Sequence, residues 1–565
     1  KIVESDGNET EPAWSPDGRT IAYFSDASGE YMLYLKNQDG KGEERKLGLT
    51  GTGFYAYPVW SPDSKKICFV DNGRNVYIID INTGVINRID SDEIYAPGAF
   101  RDIKCNWSSD SKWLAYTKYK ETNFSVIYIY SLDQQKSFPL TDGMSDATDP
   151  VFDPEGKYIY FFASTNAGPV VNWFDLSSAD MRMTSSIYLA TLGKDLESPF
   201  MKESDEEKTE DEEASSIEEK EVKQGRRKKE EDSPEEEKND AVKIDTDGLM
   251  DRIVSFPLRA GSYSSLKAGE AGIIFYIARP GSQSSSATLH KYSLKERKDE
   301  EVMELDDYFV SADKKKMLYR KGETFGITDS GKKPEPGKGV LNTSSVSVKI
   351  DPLHEWPQIF DEAWRLNRDY FYDPGMHGAD WKAMKEKYSV FLPHLTCRSD
   401  LYRVIQWMCS ELSVGHHRYS SPGERPLKPE SIGIGLLGAD YKVSDNRYMI
   451  SRIYGGLNWN PDLRSPLTEP GLNITVGTYI LSVNGHEVTA DKNLFSFFEK
   501  TDGKIVELTI NTKPSFDGAR TVRVVPVNNE LSLRNRAWVE GNLKRVTEAT
   551  NGEVAYVYVP NTSEL

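Results

Sequence analysis

The chain has 565 residues, and its 89 Asp and Glu against 70 Lys and Arg give a formal charge of −19 and a pI of about 5.1. Nucleic acid and anionic membranes would repel such a chain, so proteins that mainly coat either surface are excluded. No apolar run approaches the roughly 18–20 residues that cross a bilayer, so we expect no membrane span. The four cysteines have no C-x-x-C spacing, so the sequence predicts neither a disulfide framework nor a metal site.

A repeated motif in the N-terminal half predicts a β-propeller. An aromatic residue, a turn of the Ser-Pro-Asp-Gly type and an apolar strand start at Trp14, and the pattern recurs at Trp60, Trp107 and Phe152. In the turn, Pro presets the φ angle while Asp and Gly accept the bend. Four short strands in about 45 residues correspond to one propeller blade. We expect the repeated aromatic residue to pack between adjacent blades; a β-sandwich is the alternative.

Diverged copies of this pattern continue along the chain, which predicts six to seven blades over residues 1–345. A charged tract over residues 194–242 interrupts them, and its central part, residues 201–240, holds 18 acidic and 9 basic side chains. Such a segment has too little apolar surface to offset its conformational entropy. We therefore expect a disordered acidic insertion, with a solvated loop favoured over a regulatory or docking tail.

Near residue 350 the spacing of apolar residues changes from 2 to 3.6, which predicts helices. The first helix is expected to have Pro357 in its first turn. A second fits residues 381–391, and a third runs from Ser399, as N-cap, to Leu412. The apolar face of the first helix consists of Trp356, Ile359, Phe360, Ala363, Trp364 and Phe371.

Two adjacent histidines, His416 and His417, follow the third helix at the break made by Gly415. By its chemistry alone, a histidine beside a helix end is usually a capping or surface residue. The pair also lacks the H-E-x-x-H or carboxylate spacing of a metal site. The residues by themselves therefore give only a weak indication of catalysis.

From about residue 425 the apolar spacing returns to 2, and residues 426–528 resemble a PDZ domain. Asn484-Gly485 predicts a hairpin, with His486 as a surface turn residue. A PDZ domain offers an open sheet edge to an extended peptide. The candidate carboxylate-binding or edge loop consists of Gly433, Ile434, Gly435 and Leu436; alternatively, these glycines only permit a tight turn.

Residues 529–565 begin another unit, in which a helix is expected from Leu531 and a strand over residues 554–560. No G-x-S-x-G motif occurs in the chain, so the sequence indicates no nucleophile. The chain starts with Lys, so we expect a processed or truncated start at which any targeting signal is invisible.

Taken together, the blades, the stretch from Glu355 to Trp381 and the sequence from Ser410 to His416 resemble the tricorn protease family. The resemblance implies a multidomain fold: an all-β propeller, a helical catalytic subdomain over residues 350–422, a PDZ-like domain and the start of an α/β catalytic domain. It also implies that His416 is the general base towards a serine hydroxyl and then the general acid towards the leaving amine. The family commonly has Ser immediately before this histidine, where the present sequence has Gly415.

The resemblance implies a serine endopeptidase that hydrolyses oligopeptides or unfolded polypeptides without a cofactor, with its serine beyond the position matched by Leu565. It also implies a homo-oligomer in the cytoplasm, with a periplasmic or exported location as the alternative. A non-catalytic peptide-binding scaffold of propeller and PDZ-like domain is the alternative function. A periplasmic propeller protein of an envelope complex is a third, but it leaves the helical motif unexplained.

Overall fold

A computed structural model describes residues 2–50, 53–94, 103–166, 183–201, 241–279, 287–347, 349–415, 417 and 431–560. The chain forms two compact units, residues 1–424 and 425–565. Within the described residues, no helix is both long and apolar enough to cross a membrane.

The first unit contains a series of antiparallel sheets, each made of strands consecutive in the sequence, as expected of propeller blades. The first three sheets consist of β1 (Glu9–Trp14), β2 (Thr20–Ser25), β3 (Met32–Asn37) and β4 (Arg45–Leu47); β5 (Tyr55–Trp60), β6 (Lys66–Asp71), β7 (Asn75–Asp80) and β8 (Ile86–Ser91); and β9 (Cys105–Trp107), β10 (Trp113–Tyr119), β11 (Ser125–Ser131) and β12 (Lys136–Pro139).

Three further sheets follow in the described part of the first unit. They consist of β13 (Asp146–Phe152), β14 (Tyr158–Ser164), β15 (Ser186–Thr191) and β16 (Ile253–Ser255); β17 (Ser262–Ala268), β18 (Ile273–Arg279), β19 (Thr288–Ser293) and β20 (Lys298–Glu304); and β21 (Asp307–Val310), β22 (Lys316–Lys321) and β23 (Thr324–Asp329). The predicted propeller is confirmed, and the acidic tract lies between β15 and β16 in the sequence. Residues 202–240 of that tract lie outside the described residues.

The repeated motif performs the two tasks predicted for it. In its turn, the Ser15 hydroxyl accepts the N–H of Thr20 at 3.0 Å, and Ser61 accepts that of Lys66 at 2.9 Å. The indole N–H of Trp60 donates to the Ala13 carbonyl of the preceding blade at 3.0 Å. The aromatic residue therefore joins neighbouring blades through both burial and a hydrogen bond.

Trp14 occupies the same motif position in the first blade, but its side chain is 56% exposed, whereas Trp60 is 7% exposed. We therefore expect Trp60→Ala to destabilise the propeller by about 3–5 kcal/mol, the usual cost of deleting a buried large aromatic side chain. Trp14→Ala is the matched control and should cost less than about 1 kcal/mol. Urea unfolding followed by far-UV circular dichroism measures the loss of stability in both variants. Equal shifts of the two unfolding midpoints would contradict the stabilising role of the buried Trp60 side chain.

Three helices follow the propeller: α1 (Pro352–Tyr370), α2 (Trp381–Ser389) and α3 (Arg398–Ser410). Short 3₁₀ turns lie at Met250–Arg252, Met376–Gly378, Leu392–His394, Pro461–Leu463, Pro466–Thr468 and Leu494–Phe498. The predicted apolar face of α1 is confirmed: Trp356 and Phe360 are buried, and its other members pack against the same core. That core also contains Leu401 and Met408 of α3.

Two predicted helix starts are wrong. Helix α1 begins at Pro352, because the Asp351 carboxylate accepts the N–H of Leu353 at 3.2 Å and caps it there; Pro357 therefore lies inside the helix. Helix α3 begins after Cys397, so Ser399 lies in its first turn rather than at the N-cap. The Asp400 carboxylate accepts the hydroxyl of Thr396 at 2.8 Å, which draws the chain into the helix earlier.

Helix α1 is attached to the first blade by ion pairs. The Arg365 guanidinium contacts the Asp26 carboxylate and donates to the Gly29 carbonyl at 2.6 Å. One turn later, Arg368 binds the two oxygens of Glu30 at 2.7 and 2.9 Å. The helical segment is therefore docked on the propeller by charged groups that lie far away in the sequence.

The second unit is built on one antiparallel sheet with the strand order β24-β25-β26-β28-β29, in which β27 pairs with β26. Its strands are β24 (Ala439–Ser444), β25 (Arg447–Ile453), β26 (Tyr479–Val483), β27 (His486–Glu487), β28 (Val506–Asn511) and β29 (Arg520–Val524). Asn484 and Gly485 have φ angles of 47° and 81°, which confirms the predicted hairpin, and His486 is exposed as predicted.

Helix α4 (Leu531–Ala549) follows the sheet, as predicted. The strand predicted over residues 554–560 is wrong, because this stretch has no strand structure. A strand needs a neighbour to satisfy its backbone groups, and the described residues supply none beside it.

Candidate functional site

His416, the predicted general base, lies outside the described residues. The structure describes the chain up to Gly415 and describes His417, which is exposed but whose pKa is lowered by partial desolvation. The described residues include the segment that leads from α3 towards His416.

Helix α2 holds the end of α3 through Glu411. The Glu411 carboxylate accepts hydrogen bonds from the Lys387 ammonium at 2.6 Å and from the Tyr388 hydroxyl at 2.7 Å. These two hydrogen bonds lower the pKa of Glu411, so the carboxylate stays ionised at neutral pH. The last turn of α3 is thereby fixed to its neighbour before the chain leaves the helix.

His377 makes a second attachment, one residue further along. The Nδ1 atom of His377 lies 2.8 Å from the Leu412 carbonyl oxygen, and its Nε2 contacts the Tyr372 hydroxyl. With the carbonyl as an acceptor, Nδ1 carries the proton and Nε2 accepts from the tyrosine. The Asp373 carboxylate accepts the backbone N–H of His377 at 2.8 Å, which supports the left-handed conformation of that residue.

The sequence reasoning missed His377. The sequence does contain a local signal for the conformation of His377. It is the turn formed by Asp373, Pro374 and Gly375, because an Asp at the start of such a turn commonly accepts the backbone N–H groups that follow it. The link to Leu412 has no local signal, because the two residues are 35 positions apart.

Past Leu412 the backbone turns at Ser413, whose φ angle is 51°. At Gly415, a Cβ atom would meet no described atom within 4 Å. Among the described residues, packing therefore leaves room for a side chain at this position.

The candidate loop of Gly433, Ile434, Gly435 and Leu436 runs beside the sheet. Ile434 and Leu436 form isolated bridges with Glu499 and Val527. The N–H groups of Gly435 and Leu436 donate to the carbonyls of Phe498 at 2.9 Å and of Val527 at 2.7 Å. Two of the four amides are thus engaged inside the domain, and a peptide-binding role for these residues remains a prediction.

Gly435 lies in a close approach to two neighbouring side chains. A Cβ at this position would lie 2.4 Å from the Thr501 hydroxyl oxygen and 2.7 Å from Cβ of Pro526. Only glycine fits such a close approach without moving its neighbours.

Strand β24 lies at the edge of the sheet and pairs with β25 on one side only, among the strands described. An edge strand has a row of backbone N–H and C=O groups available for a further strand. Strand β29 lies at the opposite edge of the same sheet.

The order of the parts along the chain decides the family. The profile of the tricorn protease second beta propeller domain matches residues 8–331, that of the tricorn protease C1 domain residues 352–410, and that of the tricorn protease PDZ domain residues 435–529. The chain belongs to the tricorn protease family.

Three relatives show how much of a tricorn protein the chain represents. It is 27% identical to a putative tricorn-like protease C-terminal subunit of Sulfurisphaera tokodaii, covering 87% of this chain and 53% of that protein. It is 28% identical to tricorn protease homolog 1 of Streptomyces coelicolor, covering 86% and 45%, and 24% identical to the tricorn protease of Thermoplasma acidophilum, covering 80% and 40%. The chain thus spans about half the length of the curated relatives it matches.

A crystal structure of the tricorn protease has the same fold. It superimposes with a TM-score of 0.73 and 20% identity, covering 96% of this chain and 50% of that one. The fold of this chain is therefore that of a tricorn protein, with propeller, helical segment and PDZ domain in the same order along the sequence.

Proposed function

We propose that the natural protein is a tricorn-like serine endopeptidase acting on oligopeptides or unfolded polypeptides. In this proposal the His416 imidazole takes the proton of a serine hydroxyl as it attacks the peptide carbonyl, and then gives that proton to the leaving amine. The serine is supplied by chain beyond Leu565. The observation that carries the proposal is the ordered match of three tricorn domains, the second of which ends at residue 410, just before the His416 segment.

The anchoring of α3 supports this role for His416. A general base acts only when its ring nitrogen lies within hydrogen-bond reach of the proton it removes. The contacts of Glu411 with α2 and of Leu412 with His377 fix the chain four to five residues before His416. Such rigid support is what a precisely placed catalytic side chain requires.

We further propose the following division of the chain. The propeller comprises residues 1–345 with the acidic insertion at 194–242; the helical catalytic subdomain comprises 350–422, the PDZ-like domain 426–528, and the opening of the second catalytic subdomain 529–565. The substrate is a peptide rather than nucleic acid or lipid, no cofactor takes part, and the protein works as a cytoplasmic homo-oligomer.

A second candidate function is peptide binding without catalysis, and the open edge of β24 favours it specifically. A strand added at that edge would bind through main-chain hydrogen bonds, with little dependence on sequence. This function needs neither His416 nor a nucleophile.

A serine-reactive fluorophosphonate probe separates the two functions. We expect the protein isolated from its natural source to be labelled on one serine and to have an intact mass clearly above the 63.9 kDa of this chain. Heat-denatured protein is the control for nonspecific labelling. A protein of about this mass that takes up no label would contradict the peptidase proposal and leave the peptide-binding function.

A further inference from the structure

The Glu530 carboxylate of the chain itself lies at the start of the edge strand β24. Gly438 directly precedes β24, and its backbone N–H donates to the Glu530 carboxylate at 2.9 Å. The φ angle of Gly438 is 69°, a left-handed conformation that suits glycine. Glu530 immediately precedes helix α4.

A guanidinium completes the surroundings of this carboxylate. The Nε atom of Arg534 donates to Glu530 at 2.8 Å, while its Nη1 donates to the Asp440 carboxylate at 2.8 Å and to the Tyr454 hydroxyl at 3.0 Å. The guanidinium also lies over the Tyr454 ring, 4.5 Å from its centroid. Arg534 is therefore held in place by Asp440 and Tyr454 independently of Glu530.

A peptide that adds antiparallel to β24 runs opposite to it, so its C-terminus arrives at the first residue of that strand. A backbone N–H and a fixed guanidinium lie at this point. Both can donate hydrogen bonds to the α-carboxylate of a peptide, and the bond from the guanidinium is charge-assisted. The Glu530 carboxylate already makes both of these interactions.

We propose that Glu530 is a built-in competitor that takes the place of a peptide's C-terminal carboxylate at Gly438 and Arg534. A peptide with a free C-terminus displaces it, forming its own hydrogen bond with Gly438 and its own ion pair with Arg534. This inference rests on the proposed binding of peptides by the PDZ-like domain, the second candidate function. The site proposed for the peptide's C-terminal carboxylate therefore comes after the predicted loop of residues 433–436 in the sequence.

The packing of α4 makes this exchange feasible. Leu533 is the single buried residue of this fully described helix, whereas Leu531 and Trp538 are 68% and 55% exposed. Leu533 rests close to Gly438, where a Cβ would lie 3.1 Å from its Cδ1 atom. The first turn of α4 is thus held by one leucine, by the Glu530 contacts and by the contacts of Arg534 with Asp440 and Tyr454. A peptide carboxylate at Gly438 would replace only the Glu530 contacts.

Binding of labelled peptides to the purified chain tests the proposal. The probes are two pools of fluorescein-labelled decapeptides, randomised at nine positions and ending in Leu, one with a free carboxylate and one with a C-terminal amide. We expect Glu530→Gln and Glu530→Ala to bind the free-acid pool about tenfold more tightly than the unmodified chain, with amide binding unchanged. Glu548→Gln, at the exposed far end of α4, is the matched control and should bind like the unmodified chain.

A second substitution tests the cation. In the Glu530→Ala background, Arg534→Gln is expected to remove the preference for the free acid over the amide. Thermal melting of each variant verifies that the PDZ-like domain is folded.

The outcomes separate this inference from the function on which it rests. Equal free-acid binding by folded Glu530 variants and the unmodified chain would overturn the competitor role while leaving peptide binding intact. If none of the folded proteins binds either pool, both peptide binding by this domain and the competitor role are overturned.

Discussion

Replacing His416 with alanine in the full-length protein is expected to lower kcat/KM for an unfolded peptide substrate by about 10⁴-fold or more. Without the imidazole, the serine hydroxyl keeps its proton during attack, and no acid protonates the leaving amine. Labelling by a fluorophosphonate should slow as well, because it requires the same activated serine. Initial rates with a quenched fluorescent peptide measure the effect.

His417→Ala is the matched control for this prediction. The two histidines are adjacent, so general disturbance of the segment would affect both variants equally. We expect His417→Ala to retain most of the activity and His416→Ala to lose it. Full hydrolysis by a folded His416→Ala protein would remove the catalytic assignment, and loss of activity in the His417 variant alone would transfer it to His417.

The second large effect is expected from Arg365, which joins α1 to the first blade. The side chains of Arg365 and Asp26 are 4% and 2% exposed, so their charges are removed from water. Arg365 also pairs with Glu362 at 2.7 Å and lies over the ring of Tyr31, 5.5 Å from its centroid. Arg365→Ala leaves Asp26 buried without its cation, and breaking such a pair typically costs about 3–5 kcal/mol.

Urea unfolding of the first unit, followed by circular dichroism, tests this expectation. Lys321→Ala is the control: its side chain is 57% exposed and that of its partner Glu304 is 55% exposed, so water compensates the lost pair. We expect it to cost about 1 kcal/mol or less. The double variant Arg365→Met with Asp26→Asn should recover part of the loss, because the buried Asp26 carboxylate that would otherwise lack its cation is removed. Equal effects of the Arg365 and Lys321 substitutions would show that burial of the first pair has no energetic importance.

The parts that were predicted correctly are those whose signals are local. The Ser-Pro-Asp-Gly turn contains within a few residues the groups that stabilise it, such as the Ser15 hydroxyl and the N–H of Thr20. The apolar face of α1 and the Asn484-Gly485 hairpin likewise follow from spacing and backbone preference.

The two errors in helix starts arose where two local signals competed for the same start. Pro357 and Pro352 both suit a first helical turn, and the helix begins at the one that Asp351 precedes. Ser399 is a good N-cap residue, but the hydrogen bond between Thr396 and Asp400 starts the helix before it. Residues 554–560 have the composition of a strand, yet strand structure depends on a neighbour that the stretch itself does not encode.

The sequence by itself thus determined the propeller repeat, the helical segment, the PDZ-like sheet and the family. Backbone preferences and apolar spacing act over a few residues and can be read in any copy of a motif. Only the tertiary structure decided which groups meet: His377 with Leu412, Arg365 with Asp26, and Glu530 with Gly438, which are separated by 35, 339 and 92 positions. Hydrogen bonds and ion pairs act over a few ångströms in space, so these partners become visible only when the folded chain brings them together.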